Sequence, residues 1–210
     1  MIANLRLPAA LARAVLVAGV AILAGCSLTR EPPVKQIYLI DTALPPAAAT
    51  AHPGALRVGI VRVAAPYRGK NIVVREGDFR YQNDFYVEFL VPPGPLLTEQ
   101  TTRALSAAKV FTRVVPPGAY SEADYVLDGF VSELYGDVHS GTPAAVVTVT
   151  YYLRRADDAS KVPFWSKEYR QRVTVSTSST DAFAAALNQA FGTIFADLSQ
   201  DLAAATLPKP

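Results

Sequence analysis

The clearest pattern of hydrophobic and polar positions lies in the second half of the chain and repeats every two residues. In the segments 146–154 and 164–175, apolar side chains fall on one side and polar ones on the other, and the polar turn 157–160 joins the two segments. A period of two is that of a β-strand with one buried face, so the pattern predicts an antiparallel hairpin with one solvated face. The expected inward residues are Val147, Val149, Tyr151 and Leu153, followed by Trp165, Tyr169, Val173 and Val175.

Two other segments place apolar residues three or four positions apart, which is the spacing of one helix face. The first begins at Pro95, whose ring suits the first turn of a helix, and ends near Lys109. On this helix Glu99 and Arg103 are spaced as an ion pair. The second helix follows 178–180, whose hydroxyl residues can cap its N-terminus. The expected buried faces are Leu97, Thr101, Ala104, Leu105 and Ala108, then Phe183, Leu187, Phe191, Ile194, Phe195, Leu198 and Leu202.

Shorter runs that are rich in β-branched or aromatic residues predict the remaining strands. Two aromatic runs are expected to form a hairpin around Asn83 and Asp84. The strand candidates are 36–41, 56–63, 71–75, 79–82, 85–90, 111–115 and 125–135. A sheet must bury its apolar face, and two amphipathic helices can cover it. The expected fold class is α+β, a two-layer domain with a mostly antiparallel β-sheet packed by two amphipathic helices.

The segment 79–90 holds more aromatic residues than one face of a sheet can bury. Alternate side chains of a strand point to opposite sides, so some of these rings must point outward. We therefore expect a contact surface for a partner or a lipid here. The alternative, in which helix and loop cover both faces, stays open. The candidate contact residues are Tyr81, Phe85, Tyr86 and Phe89.

The N-terminal region has the pattern of a secretory signal. Arg6 and Arg13 precede the uncharged apolar run 14–24, which is shorter than the roughly 20 residues that a membrane-spanning helix needs. The run ends in Leu23-Ala24-Gly25-Cys26, which resembles the lipobox of bacterial lipoproteins. The expected organisation is a signal peptide over 1–25, an acylated N-terminus and linker with a short strand over 26–54, and a folded domain over 55–207.

Cys26 is the chain's one cysteine, and it occupies the position that a lipobox requires. The resemblance implies a diacylglyceryl group and an N-linked acyl chain, such as palmitate, on this residue. Several chains anchor a protein permanently, whereas a single chain binds membranes only marginally. Ser27 stands where lipoproteins retained in the inner membrane usually have Asp, so an outer-membrane location facing the periplasm is expected. An ordinary cleaved signal and an uncleaved membrane anchor are the alternatives.

Composition and charge exclude several classes of protein. Half of the residues are apolar and 18% are charged, which is unlike a disordered chain. The net charge of +2 comes from Arg6 and Arg13 in the signal region, so the charge-balanced remainder gives no support to nucleic-acid binding. One cysteine and two histidines are too few for a soft metal site or a disulfide framework. No cofactor is expected.

Three neighbouring residues are the best candidates for a catalytic site. Asp137, His139 and Ser140 contain the side chains of a nucleophilic triad, although no nucleophile-elbow pattern surrounds the serine. A solvated loop histidine explains them more simply. An acid–base pair and a basic patch are also conceivable, but exposed strand charges that cancel locally explain those residues as well. The candidates for the acid–base pair are Asp124, Asp128 and Glu133, and those for the basic patch are Arg154, Arg155, Arg170 and Arg172.

The order of these elements resembles the ABC-type transport auxiliary lipoproteins, the family of the PqiC-like lipoproteins of MCE intermembrane transport systems. The resemblance spans roughly residues 23 to 205. Where the family's aromatic strand usually contains Trp, this chain has Tyr86-Val87-Glu88-Phe89. The residues that carry the resemblance are the lipobox, Tyr38-Leu39, Ala64-Ala65-Pro66-Tyr67, 71–75, the helix 96–109, 110–115, 125–129 and the Phe-rich final helix.

This resemblance implies a non-catalytic lipoprotein that docks an MCE-domain protein, whose inner-membrane partner is an ABC transporter or a permease. The implied cargo is phospholipid or another hydrophobic molecule, and a homo-oligomer stays open. One alternative is an assembly or structural lipoprotein, similar to a chaperone or pilotin, whose partner would be a β-barrel or a secretin. An envelope hydrolase is the more distant alternative.

Overall fold

Eight strands form one mixed sheet in the computed structural model, which describes residues 34–177 and 179–209. Two long helices accompany the sheet. The strands are β1 (Gln36–Tyr38), β2 (His52–Val63), β3 (Asn71–Arg75), β4 (Tyr81–Phe89), β5 (Phe111–Val115), β6 (Tyr125–Asp137), β7 (Ala144–Arg155) and β8 (Trp165–Thr174). The helices are α1 (Pro93–Ala108) and α2 (Thr180–Ala204), and a short 3-10 turn covers Ala65–Tyr67.

Strand β6 organises the sheet, because it is long enough to pair with three other strands. Along one side it pairs with β7 over its whole length, in antiparallel register. On the other side its first half pairs with β2 and its last residues pair with β3, both parallel. Strand β5 lies beyond β2 and is parallel to it. Strand β4 lies beyond β3 and is antiparallel to it, and β1 pairs with β4 in parallel register.

The α+β class with two helices on one sheet is confirmed, and the sheet is mixed. The longest ladders, β6 with β7 and β7 with β8, are antiparallel, as the alternating pattern predicts. The parallel pairs are shorter and join strands that are far apart along the chain. Parallel neighbours need a crossover connection, and no local period identifies which strands such a connection brings together.

The predicted hairpin of 146–154 and 164–175 is confirmed, whereas the predicted hairpin around Asn83 and Asp84 is wrong. Residues 81–89 form the single strand β4, and its hairpin partner is β3. The turn lies at residues 76–80 instead, where the Glu76 amide donates to the Arg80 carbonyl at 2.9 Å. An ion pair of 3.1 Å between the side chains of the same two residues supports this turn.

The main core lies between the sheet and the two helices. Every residue predicted for the buried face of α1 is buried, and on α2 only Phe183 keeps partial exposure. Ser179 caps α2 as expected, accepting a hydrogen bond from the Ala182 amide at 3.3 Å. The predicted pair of Glu99 and Arg103 is wrong. Arg103 instead forms an ion pair with Asp41, because the segment after β1 lies within reach of α1.

A second, smaller apolar cluster lies on the other side of the sheet. Val73, Tyr135 and Val146 are buried there, and Tyr67 of the 3-10 turn packs against them. The Tyr67 ring stacks on the Tyr135 ring, with centroids 6.0 Å apart. Burial, together with the neighbouring Tyr81, Tyr135 and Glu133, raises the pKa of Tyr67 to about 12. The C-terminal half of β6 is therefore packed on both faces, with Leu134 in the main core and Tyr135 in this second cluster.

Candidate functional site

Strand β4 carries a bulge at the position of the predicted aromatic contact surface. Asn71 of β3 pairs with Glu88 of β4, and Val73 pairs with Asn83. A single residue of β3, Ile72, therefore faces the four residues 84–87 of β4, which we call the aromatic bulge. Bulges bend a strand and turn its side chains to new directions, and they are common beside functional sites.

Side-chain hydrogen bonds hold the aromatic bulge in one conformation. The Asn71 amide nitrogen Nδ2 donates to the Asp84 carbonyl at 3.0 Å. The Asp84 carboxylate accepts from the Tyr86 backbone amide at 2.8 Å, which closes a short turn inside the strand. The Asp84 carbonyl and the Tyr86 amide have no partner in the irregular part of the strand ladder, and the side chains of Asn71 and Asp84 supply their hydrogen bonds. Specific side chains of this chain therefore stabilise the aromatic bulge.

Three of the four candidate contact residues are accessible. Phe85 is 75% exposed and Tyr86 is 43% exposed, and their rings pack edge to face with centroids 5.1 Å apart. Tyr81 is 44% exposed and rests edge-on against Tyr135. Phe89 is 3% exposed and belongs to the main core, so its assignment to the contact surface is wrong. The extra residues of the bulge shift the alternation, which turns Val87 and Phe89 inward.

Further exposed apolar residues lie next to the aromatic bulge, and the sequence patterns gave no sign of them. Ile37 of β1 pairs in register with Glu88, and its side chain is exposed. Leu90 and Val91, directly after β4, are exposed as well. An exposed apolar patch on a folded protein marks a contact site. Only residues 36–38 of the predicted strand 36–41 pair in β1, and the short apolar run did not indicate which of its side chains face outward.

Part of β4 is also an open edge of the sheet. Strand β1 pairs only with residues 87–89, so in the described chain no strand lies beside 81–86 on the side away from β3. Strand β1 itself is held in place by the Tyr38 hydroxyl, which donates to Asp181 of α2 at 2.7 Å. This hydrogen bond raises the pKa of Tyr38 to about 12. An open edge can pair with an extended segment of a partner.

The three candidate catalytic residues do not form a triad. The His139 ring lies 3.2 Å from Asp78, on the turn between β3 and β4, instead of bonding to Asp137. Asp137 accepts hydrogen bonds from the His139 amide, the Ser140 hydroxyl and Arg172. Burial alone would raise the pKa of Asp137, which is 2% exposed, but these hydrogen bonds outweigh it and lower the pKa below its ordinary value. The group clamps the β6–β7 loop and leaves the serine without a base.

Replacing Asp137 by Asn tests this structural assignment. Because the folded-state pKa lies below the unfolded value of about 3.9, the carboxylate stabilises the fold above that pH, and this contribution is lost as the pH falls through the folded-state pKa. We expect Asp137→Asn to lower the free energy of unfolding by about 1 to 3 kcal/mol at pH 7. The difference from the original chain should shrink below pH 4, as followed by thermal unfolding. A difference that is independent of pH would contradict the assignment.

The other charged candidates serve separate local contacts. Asp124 accepts from the Ala55 amide at 2.6 Å, whereas Glu133 accepts from the Thr148 hydroxyl at 2.5 Å. The four arginines of the hairpin each pair with a different carboxylate, which leaves no shared basic patch: Arg154 with Asp128, Arg155 with Asp157, Arg170 with Glu133, and Arg172 with Asp137.

The part of the chain that the structure describes contains neither a metal-binding cluster nor a membrane-spanning helix. There, His, Cys, Asp and Glu side chains nowhere gather in a group of three or more that could hold a metal ion. No helix among those residues has both the length and the apolar character to cross a membrane. The lipidation residue Cys26 and the sorting residue Ser27 lie outside the described residues, so both remain sequence predictions.

Residues 38–199 match the family of ABC-type transport auxiliary lipoprotein components, and the chain belongs to this family. The domain architecture described above is the fold of its solved relatives. The crystal structure of protein XCC0632 from Xanthomonas campestris, of family DUF330, matches with a TM-score of 0.70 at 21% identity, covering 78% of this chain and 92% of that one.

A second solved structure, of a protein described as uncharacterized, matches with a TM-score of 0.64 at 15% identity. The match covers 80% of this chain and 99% of that one. At these identities the two likenesses show the fold alone. No curated protein matches the chain.

Proposed function

We propose that this chain is an outer-membrane-anchored periplasmic lipoprotein that serves as a non-catalytic docking component of an MCE-type intermembrane lipid transport system. The observation that carries the proposal is the family match over residues 38–199, which describes a lipoprotein component of ABC-type transport. The lipobox at Cys26 supports attachment to a membrane, and Ser27 supports the outer membrane as the site of attachment.

The aromatic bulge is the surface that we assign to the MCE-domain partner. Phe85 and Tyr86 form an exposed aromatic pair on a strand whose edge is open, and aromatic residues of this kind contribute most to binding energies at interfaces. The bulge is held rigid by Asn71 and Asp84, so little conformational freedom is lost when a partner binds. A rigid, exposed, apolar edge is suited to a stable contact with another protein.

Crosslinking in intact cells tests this assignment. The tagged lipoprotein is purified in mild detergent after crosslinking, and the recovered proteins are identified by mass spectrometry. We expect an MCE-domain protein with its ABC or permease components. The double variant Phe85→Ala/Tyr86→Ala should recover about tenfold less of this partner, because it removes the aromatic anchors of the interface.

The matched control removes two exposed aromatic rings elsewhere. Phe79 and Tyr120 are fully exposed in turns outside the aromatic bulge, so Phe79→Ala/Tyr120→Ala should recover the partner at the original level. Equal loss in both double variants would contradict the docking surface. Recovery of a β-barrel or a secretin in place of the transport proteins would overturn the proposed function and favour the assembly lipoprotein.

A further inference from the structure

A cleft of about 770 Å³ lies on the sheet face away from the main core, over strands β2, β6 and β7. Its floor consists of side chains that alternate along these strands with buried core residues: Arg62, Asp128, Phe130, Tyr152 and Arg154. Three separate connections form its walls. They contribute Arg68 after the 3-10 turn, Pro92, Gly94 and Pro95 at the start of α1, and Lys161 and Pro163 from the loop between β7 and β8.

The charges in this cleft are strongly unbalanced, although the chain as a whole is nearly neutral. Four of its lining residues are cations and one is a carboxylate, Asp128, which lies 3.4 Å from the Arg154 guanidinium. No carboxylate of the described chain lies within 4.0 Å of the other three, Arg62, Arg68 and Lys161, which we call the unpaired cations. The other three arginines of the neighbouring hairpin are each neutralised by a carboxylate, whereas the unpaired cations of the cleft are not.

The start of helix α1 adds further positive potential to the same opening. Its N-cap residue, Pro92, makes no side-chain capping bond, and its first turn contains no acidic residue. The N-terminal end of a helix carries a partial positive charge, which favours a bound anion. The helix end supplements the three unpaired cations, which alone give the cleft its net charge.

The floor of the cleft is apolar and aromatic beside these cations. The rings of Phe130 and Tyr152 lie half-buried on adjacent strands, and three prolines stand along the walls. A small anion such as sulfate would satisfy the cations and leave the aromatic floor in contact with water. A purely apolar ligand would leave the cations without a counter-ion. The complementary ligand therefore joins an anionic group to an apolar one.

We propose that this cleft binds one anionic phospholipid, with its phosphate held by the unpaired cations and its apolar part lying over Phe130 and Tyr152. The volume holds the headgroup of one lipid with the adjoining part of its chains, whereas an acidic peptide would need cations spread along an extended groove. The choice of a lipid rests on the proposed function, because a membrane-anchored protein meets phospholipid at high local concentration. The cleft uses strands other than β4, so it is separate from the aromatic bulge.

Native mass spectrometry of the intact lipoprotein, released from a nonionic detergent, tests the proposal. Phosphatidylglycerol, phosphatidylcholine and glycerophosphate are titrated separately, and the fraction of protein that carries an adduct is measured. We expect phosphatidylglycerol to bind more tightly than phosphatidylcholine with the same chains, and more tightly than glycerophosphate, which has no chains. Each Lys or Arg near an anionic lipid surface strengthens binding by about fivefold, so Arg62→Gln/Arg68→Gln should weaken phosphatidylglycerol binding by about 25-fold.

The double variant Lys109→Gln/Lys209→Gln is the matched control, because it removes the same charge from two exposed lysines outside the cleft. It should bind phosphatidylglycerol as the original chain does. Equal weakening in both variants, equal binding of the two phospholipids, or equal binding of glycerophosphate would each overturn the proposal. Loss of crosslinked protein partner from Arg62→Gln/Arg68→Gln, with lipid binding unchanged, would assign the cleft to an acidic partner. If the crosslinking experiment recovers no MCE-domain protein, the docking function fails, but the phosphatidylglycerol adducts in native mass spectrometry should still form.

Discussion

Replacing Cys26 by Ala is expected to abolish lipidation and to release the protein from the membrane fraction. Each buried CH₂ of an acyl chain contributes about 0.8 kcal/mol, so the several acyl chains that the lipobox predicts at this residue are expected to hold the mature protein on the membrane. The variant cannot be acylated, because the chain has no second cysteine. It should accumulate as an uncleaved precursor or a soluble protein, and it should take up no labelled palmitate.

The neighbouring substitution Ser27→Ala provides the control. It leaves the acylated residue in place, so palmitate labelling should continue at the original level. Continued labelling of Cys26→Ala, in contrast, would refute the lipobox. Membrane fractionation after an alkaline wash separates the two possibilities further, since a protein held only by protein contacts is stripped by that wash and a lipidated one is retained.

Replacing Phe195 by Ala should have the largest effect on folding. The side chain is completely buried on α2 and stacks on Phe191, with ring centroids 6.0 Å apart. Removing a buried phenyl ring costs about 3 to 5 kcal/mol of unfolding free energy, because packing is lost and a cavity remains. For a chain of this size we expect the Tm to fall by about 10 °C. Fluorescence of Trp165, the chain's one tryptophan, reports the unfolding because this residue packs against the core.

The same chemical change at Phe85 is the matched control for this prediction. Phe85 is mostly exposed on the aromatic bulge, so Phe85→Ala should change the free energy of unfolding by less than about 0.5 kcal/mol. It should nevertheless weaken recovery of the transport partner. Comparable destabilisation by the two substitutions would mean that Phe85 is buried in the native protein, and the aromatic bulge would then be no contact surface.

Periodicity predicted those elements whose pattern is carried by consecutive residues. The apolar positions of α2 and the alternation along β7 and β8 each extend over ten or more residues, so one face could be identified without knowledge of its neighbours. The prediction for β4 was wrong at the turn and at Phe89. There a bulge interrupts the alternation, and a shift by one residue moves every following side chain to the opposite face.

For the candidate sites too, the sequence predicted what depends on neighbouring residues and missed what depends on distant ones. Exposed aromatic residues in 79–90 follow from the sequence, because one face of a strand cannot bury them all. The position of the His139 ring away from Asp137 does not follow from the sequence, since Asp78, the residue that the ring contacts, lies on another hairpin. The cleft of the unpaired cations was missed for a similar reason. Arg62 and Arg68 are close in sequence, but Lys161 lies far along the chain from both, and the paired strands bring it to them.

By itself, the sequence determined the helix faces, the β7–β8 hairpin and the location of the aromatic segment, because each is encoded in neighbouring residues. Its lipobox also predicts the anchor at Cys26. Only the tertiary structure decided that β2 and β3 share one side of β6, that the bulge exposes Phe85 and Tyr86, and that unpaired cations from strand β2 and two connections line one cleft. These features depend on which distant segments pack together, and that choice is made by the whole core.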